Sequence, residues 1–313
     1  MDLAIVIVTW NVRELALNAI QSALEDIAAH GPETEVWVVD NASGDGTANA
    51  IRASFPQVRL IASEKNLGFA AGNNLALREM GFGQGVPDDR LPRTVFLLNP
   101  DTLVHERAIS RLFGALFADE RVGLVGARLM YGDGSFQHSA FRFPGVWQTI
   151  IDLLPVPGRL YESRLNGRYP LRAYDAGQPF DVDHVLGATM MLRREVIQQV
   201  GMFDEQFFMY CEEIDWAMRI RKEGWRIQCV PAARVTHLEG RSTSQVRPES
   251  IVNLWRSRFQ LYEKHYSSAR VAAIRAVVRV GMARKMREAA SDESLTPDLR
   301  EALIAAYQTV ARL

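Results

Sequence analysis

The sequence predicts an α/β fold built on a mostly parallel, doubly wound sheet, and three observations carry that expectation. Aliphatic runs recur through the first hundred residues. Each is followed by a polar turn and then a helical pattern. The runs also close on Thr, Asn and Asp, so ligand-binding groups collect at one sheet edge.

Taken in order, LAIVIVT (3–9) is a continuous aliphatic run, as expected of a strand buried on both faces. Asn11 stands where it could cap the helix that follows to about Ala29. EVWVVD (35–40) is a second buried strand, followed by the turn cluster NASGDGT and another helix. VRLIAS (58–63) and TVFLLN (94–99) are the third and fourth, with a helix over Gly72–Arg78 between them. VGLVGARLM, from Val122, reads as a further strand, whereas residues 131–180 are rich in Gly, Pro, Arg and aromatics and read as long loops or short helices. DVDHVLGATMMLRRE (181–195) runs from strand into helix, and a helix over 212–223 stops at Gly224. WRIQCVP and ARVTHLE supply two short strands, and from Ser250 the pattern is helical to the end, with a break near Ser291–Pro297.

Composition bounds the function. The chain has 313 residues, 48% hydrophobic and 23% charged with a net charge of −1, enough for one large core or two unequal domains. Cys211 and Cys229 lack metal-ligand spacing, which fits a reducing compartment rather than a disulfide framework. MDLAIVIVTW begins with an acid and has no basic leader, so it reads as a strand rather than a signal peptide. No run is long and uncharged enough to span a bilayer, and a cytoplasmic protein is expected. Charge is unevenly placed: Arg241–Ala290 carries 11 Lys/Arg against 3 Asp/Glu, a net +8. That stretch suits an anionic partner or simply a solvated helical face. It lacks aromatic interleaving or a nucleic-acid motif, so nucleic acid is not the expected partner.

Several motifs carry chemistry. The first strand–helix turn, TWNVRE, has no glycine, which disfavours a dinucleotide fingerprint, and no P-loop pattern occurs. In LLNPDT (97–102), Asp101 could hold a divalent metal, or Asn99-Pro100 could open an ordinary Asx turn. His237 in VTHLEG is either structural or a ligand beside Asp101. ASEKNLGFAAGNN (62–74) offers glycines for close approach and asparagines for hydrogen bonds, or an ordinary loop entering a helix. MYCEEIDW places three acids, Glu212, Glu213 and Asp215, at a helix start; Asp215 and Arg219, four apart, can pair.

In order, IVIVTWN, VVDNASGDGT, NLGFAAGNN, LLNPDT, VLGATMMLRRE, FDEQFFMYCEEIDWAMRIRKEGW and VTHLEGRST resemble glycosyltransferase family 2, in its rhamnosyltransferase-like branch, over roughly residues 3–245. The resemblance implies a GT-A fold, a Rossmann-like sheet flanked by helices. Residues 1–102 would form a nucleotide-sugar-binding half and 103–245 an acceptor-binding half, with a helical extension over 246–313. It implies inverting transfer from a nucleoside-diphosphate sugar, with Mg²⁺ or Mn²⁺, to a saccharide or lipid-linked saccharide in cell-surface polysaccharide synthesis. By position, Thr9, Asn11, Asp40, Asn41, Asn66, Gly68, Asn73 and Asn99 would bind the nucleotide sugar. Asp101 and His237 would hold the metal, Glu213 would be the base, and Glu212, Gly187 and Ala188 would lie on the acceptor side.

Two departures from the family pattern stand out: Asn99 replaces the first acid of D-x-D, and E-E-I-D replaces E-D-x-D, so the base is Glu rather than Asp. They leave room for a non-catalytic nucleotide-sugar-binding module with a degenerate site. dTDP-rhamnose is the donor the branch suggests, with UDP-hexoses as the alternative. Phe143, Trp147, Tyr161 and Tyr169 either stack on acceptor sugars or pack the loops, and Arg142 and Arg159 could reach an acceptor phosphate. The tail over 267–290, apolar with Arg275 and Arg279 interposed, is expected either at an anionic membrane face or docked on the catalytic domain or a second copy of the chain.

Overall fold

The computed structural model describes residues 1–238 and 247–313. In chain order the elements are β1 (Leu3–Thr9), α1 (Arg13–His30), β2 (Thr34–Asp40), α2 (Thr47–Ser54), β3 (Arg59–Ala62), α3 (Gly68–Glu79), β4 (Thr94–Leu98), β5 (Thr102–Val104), α4 (Ala108–Ala118), β6 (Val122–Met130), β7 (Phe136–Gln137), β8 (Ala140–Phe141) and α5 (Val146–Leu153). They continue as α6 (Leu171–Asp175), β9 (Phe180–Asp181), β10 (His184–Val185), β11 (Thr189–Arg193), α7 (Arg194–Val200), α8 (Glu212–Lys222), β12 (Arg226–His237), α9 (Arg247–His265), α10 (Ser268–Ser291) and α11 (Pro297–Arg312). These divide into two compact units: residues 1–141, 169–208 and 212–242 form the first, and 142–168, 209–211 and 243–313 the second.

The first unit holds a ten-stranded sheet in the order β3-β2-β1-β4-β11-β6-β12-β5, with β7 beside β6 and β9 beside β12. β3, β2, β1 and β4 pair in parallel, as do β6 and β12. β11 lies antiparallel between β4 and β6, which leaves those two pointing the same way. Six strands thus share one direction, and the antiparallel β11 and β5 begin at the edge where those six end. The aliphatic runs account for this. Every residue of β1 is buried, and Leu3, Ile5 and Ile7 join Ile20 and Ala23 of α1 and Leu112 and Leu116 of α4 in one core. Val8 lies on the other face, where α3 approaches so closely that a Cβ on Gly72 would come within 2.8 Å of its Cγ1. Each such aliphatic side chain contributes about 1.5–3 kcal/mol on burial.

Four expectations are corrected. Asn11 does not cap α1: it takes a left-handed backbone (φ 53°), Val12 precedes the helix, and the Asn11 carboxamide accepts from Gly44 N–H at 2.8 Å instead. α3 begins at Gly68, a turn before Gly72. The two short strands after Gly224 are one strand, β12, whose pairing with β6 slips between Val230 and Arg234. Pro231 sits in that slip, where its missing N–H costs no ladder bond. The C-terminal helices also break a second time, at Tyr266–Ser267 between α9 and α10.

The second unit is helical. α10 buries Val271, Ile274, Val278 and Met282, and packs on α5, α9 and α11. Gly281 lets α5 come close, since a Cβ there would lie 2.6 Å from the Leu153 Cβ. Asp152 of α5 pairs with Arg258 of α9 at 3.0 Å, and the Tyr266 hydroxyl donates to the Pro144 carbonyl. Arg142 N–H donates to Gly167 O at 2.8 Å, closing residues 142–167 into a loop with adjacent ends. The expected boundary at 245/246 lies outside the described residues, and 142–168 belongs to the helical unit rather than to the sheet unit. No helix among the described residues is long and apolar enough to cross a membrane.

Candidate functional site

The carboxyl edge of the sheet collects the polar strand ends. β1 closes at Thr9 and β2 at Asp40, side by side in register, and Asn41 N–H donates to Thr9 O at 2.9 Å. Asp40 accepts from Ser43 N–H at 3.1 Å, and Ser43 Oγ accepts from Asn11 N–H at 2.9 Å. The turn cluster therefore folds back over the end of β1. Asn41 donates its amide to Gly68 O at 3.0 Å, bringing the 66–73 segment to the same edge. Asn66 accepts from Gly68 N–H, and Asn73 donates to Phe69 O one turn back in its own helix, so both make local structural bonds. Gly68 itself is required: its φ is +81°, and a Cβ would fall 2.3 Å from Phe208 O, the acceptor of Phe69 N–H.

Beyond β4 the chain turns through Asn99, Pro100 and Asp101 into β5, which pairs with the end of β12, His237 opposite Thr102. Leu238 N–H donates to Asp101 O at 2.8 Å, and Asp101 Oδ1 lies 3.4 Å from His237 Nε2. The structure thus brings Asp101 and His237 together. Asn99 N–H donates to Ala188 O at 3.0 Å, so the start of β11 sits beside the same turn. One residue earlier, Gly187 faces Glu213: a Cβ there would lie 3.6 Å from the Glu213 Cβ and 4.0 Å from its carboxyl carbon. A chain of neighbours runs from His237 through Asp101, Asn99, Ala188 and Gly187 to Glu213.

The opening turn of α8 separates its three acids. Asp215, fully buried, pairs with Arg219 at 2.8 Å, and Arg219 also donates to the Val200 and Met202 carbonyls at 2.9 Å each. Glu213 is half-buried, whereas Glu212 is buried. Burial, and then the negative charge of Glu213, pushes the Glu212 carboxyl well above the ordinary carboxylate range. A carboxyl raised in the folded state contributes most to stability below its unfolded value near 4.5 and loses that contribution as pH rises through the folded value. Glu212→Gln is therefore expected to raise the melting temperature at pH 7–8, with the gain shrinking below the ordinary glutamate range. Thermal unfolding followed across pH measures it.

Among the described residues, Thr9 Oγ1, Asp40 Oδ1, Asn41 Oδ1, Asn99 Oδ1, Asp101 Oδ1, Glu212 Oε2 and His237 Nδ1 are buried without a hydrogen-bond partner. Such a group costs about 1–3 kcal/mol when left alone. These seven lie at strand ends or at the α8 start, where a polar ligand would meet them; others of the kind, such as Trp37 Nε1 and Arg300 Nε, lie elsewhere.

A family model described as "Glycosyltransferase like family 2" matches residues 2–251. The chain belongs to that family. The glycosyltransferase is 30% identical over 211 residues to the N-acetylglucosaminyl-diphospho-decaprenol L-rhamnosyltransferase of Mycobacterium tuberculosis, covering 67% of this chain and 68% of the relative. Among solved structures it resembles GalNAc-T7 with UDP, GalNAc and Mn²⁺ (TM-score 0.57, 14% identity, 100% of this chain). It spans 56% of that protein's length. It also resembles the mannosyltransferase PcManGT of Pyrobaculum calidifontis with GDP-Man and Mn²⁺ (TM-score 0.55, 18% identity, 99% of this chain and 86% of that one). At these identities the likeness establishes the GT-A fold.

Some features of the candidate site in this glycosyltransferase escape motif reading. Ser43 and Gly44, read only as turn residues, hold Asn11 and Asp40, and Phe208 fixes the Gly68 turn. The aromatic residues of 131–180 do not act as one group. Tyr169 packs against Phe180 in the sheet unit, while Phe143, Trp147, Tyr161, Arg142 and Arg159 belong to the helical unit.

Proposed function

We propose that the protein transfers rhamnose, from dTDP-rhamnose, to a lipid-linked saccharide acceptor with inversion, in the synthesis of a cell-surface polysaccharide. The observation that carries this reading is the line of neighbours joining His237 and Asp101 to Glu213 through Asn99, Ala188 and Gly187. A group that stabilises a leaving diphosphate and a group that accepts a hydroxyl proton are then on one edge. The rhamnosyl donor and the lipid-linked acceptor are suggested by the mycobacterial relative's name.

Thr9, Asn11, Asp40 and Asn41 hold the nucleotide at the ends of β1 and β2. Asp101 and His237 fit a divalent cation: Asp101 Oδ1 and His237 Nε2 lie 3.4 Å apart on two buried side chains, close enough to share one ion. They are two ligands only, and no group of three or more His, Cys, Asp or Glu is placed to hold a metal ion among the described residues. An ion held there would complete its shell with diphosphate oxygens, and an imidazole ligand suits Mn²⁺ better than Mg²⁺. When bound, it would act as a Lewis acid on the leaving phosphate oxygen. The Glu213 carboxylate takes the acceptor hydroxyl proton as the new C–O bond forms. The anomeric bond to the diphosphate breaks on the opposite face, and its electron pair leaves with the nucleoside diphosphate. Gly187 keeps the approach to Glu213 open. Buried, with its carboxyl pushed toward the uncharged form, Glu212 adds little negative charge beside the incoming oxygen.

Asp101→Ala is expected to lose Mn²⁺ binding in the presence of dTDP, read by electron paramagnetic resonance, together with metal-stimulated transfer. Unchanged Mn²⁺ binding would overturn the ligand assignment. Thermal shift with dTDP-rhamnose against UDP-hexoses tests the donor, since only the true donor should stabilise the fold strongly. A binding module without catalysis would retain that shift and show no turnover.

A further inference from the structure

The two compact units carry opposite charge. The helical unit holds 16 Lys/Arg against 9 Asp/Glu, a net +7, which leaves 20 against 28, a net −8, on the sheet unit. The helical unit also exposes apolar side chains. Of the seven large hydrophobic residues exposed among those described, Trp147 (61%), Tyr161 (41%), Leu165 (48%) and Val280 (59%) belong to it, although it contains only about a third of the chain. The first three lie in the 142–167 loop, where the 3₁₀ turns at Gly158–Leu160 and Arg164–Asn166 pack on each other and the second packs on α5. Exposed Arg159 and Arg164 stand in the same loop, and exposed Arg279 precedes Val280 on α10.

We propose that the helical unit docks peripherally on an anionic lipid surface, with Trp147, Tyr161 and Leu165 entering the headgroup region and the surrounding arginines meeting lipid phosphates. Charge chooses this occupant. A unit of net +7 repels the same unit of a second copy and suits a surface of fixed negative charge. Trp and Tyr favour the headgroup level because one side of the ring is apolar and the other is wet. The apolar stripe of α10, in contrast, is buried against its own unit. The membrane contact therefore lies in the 142–167 loop and the α10 turn around Arg279 and Val280, not along the α10 stripe. This docking rests on the lipid-linked acceptor for its purpose, but it is measurable without either substrate.

The test is co-sedimentation of the full-length protein with vesicles of phosphatidylcholine alone or with added phosphatidylglycerol. Binding is expected only with the anionic lipid, falling as salt rises. Each surface arginine adds about fivefold to affinity, so Arg159→Gln with Arg164→Gln should weaken binding roughly 25-fold. Brominated lipid should quench tryptophan fluorescence in the wild type and much less in Trp147→Phe, whose fold is undisturbed at so exposed a site. Binding to neither vesicle, or equal quenching in both proteins, would overturn the proposal. So would a Trp147-dependent dimer in solution, or nucleic acid displacing the vesicles. Donor-induced thermal shift measured on the same variants keeps the two readings apart: its survival with vesicle binding lost would leave the transferase assignment intact.

Discussion

Glu213→Gln is expected to lower kcat by about 10²–10⁴-fold with donor affinity unchanged, the range for removing a positioned base. The prediction follows from the contrast between the two adjacent glutamates. Glu213 is half-buried beside Gly187, where nothing larger than hydrogen intervenes, whereas Glu212 is buried and its carboxyl is pushed well above the ordinary range. Only the first stands at the open approach beside Gly187, while burial pushes the second toward its uncharged form. Rate and donor binding measured on Glu213→Gln and Glu212→Gln distinguish them: a loss of turnover in the second alone would reverse the roles.

Asp215→Ala is expected to cost about 3 kcal/mol of stability, at the lower end of the range for stranding one partner of a buried pair. The lower end applies because Arg219 keeps two carbonyl acceptors, and its side chain is 21% exposed. Urea unfolding measures the loss. Asp215→Asn, which preserves shape and one acceptor, should lose less. If Asp215→Ala kept its stability but lost turnover, Asp215 would belong to the chemistry rather than to the scaffold.

The strands that build the site were legible because a sheet buried on both faces demands continuous aliphatic runs, and β1, β2 and β4 have them. The Asp215–Arg219 pair was legible from helical spacing alone. What remained hidden depends on contacts between distant segments. Asn11 looks like a helix cap in sequence, yet Ser43 and Gly44, some thirty residues away, claim it for the carboxyl edge of the sheet. β12 looks like two strands because Pro231 interrupts it, and only its neighbour β6 shows that the ladder resumes. The upward push on the Glu212 carboxyl is a matter of burial, which its place beside Glu213 in sequence cannot express. Nor could local pattern assign 142–168 to the helical unit, since its partners lie at the far end of the chain.

That last arrangement has a consequence for synthesis. α5 is finished at Leu153, but Gly281, against which it packs, leaves the ribosome ~130 residues later, roughly 5–25 s at ordinary elongation rates. Until then the nascent chain carries an apolar loop with no helices to receive it. A stop codon placed after the sheet unit would make that wait permanent, so the isolated sheet unit should be a client of chaperones rather than a clean truncation.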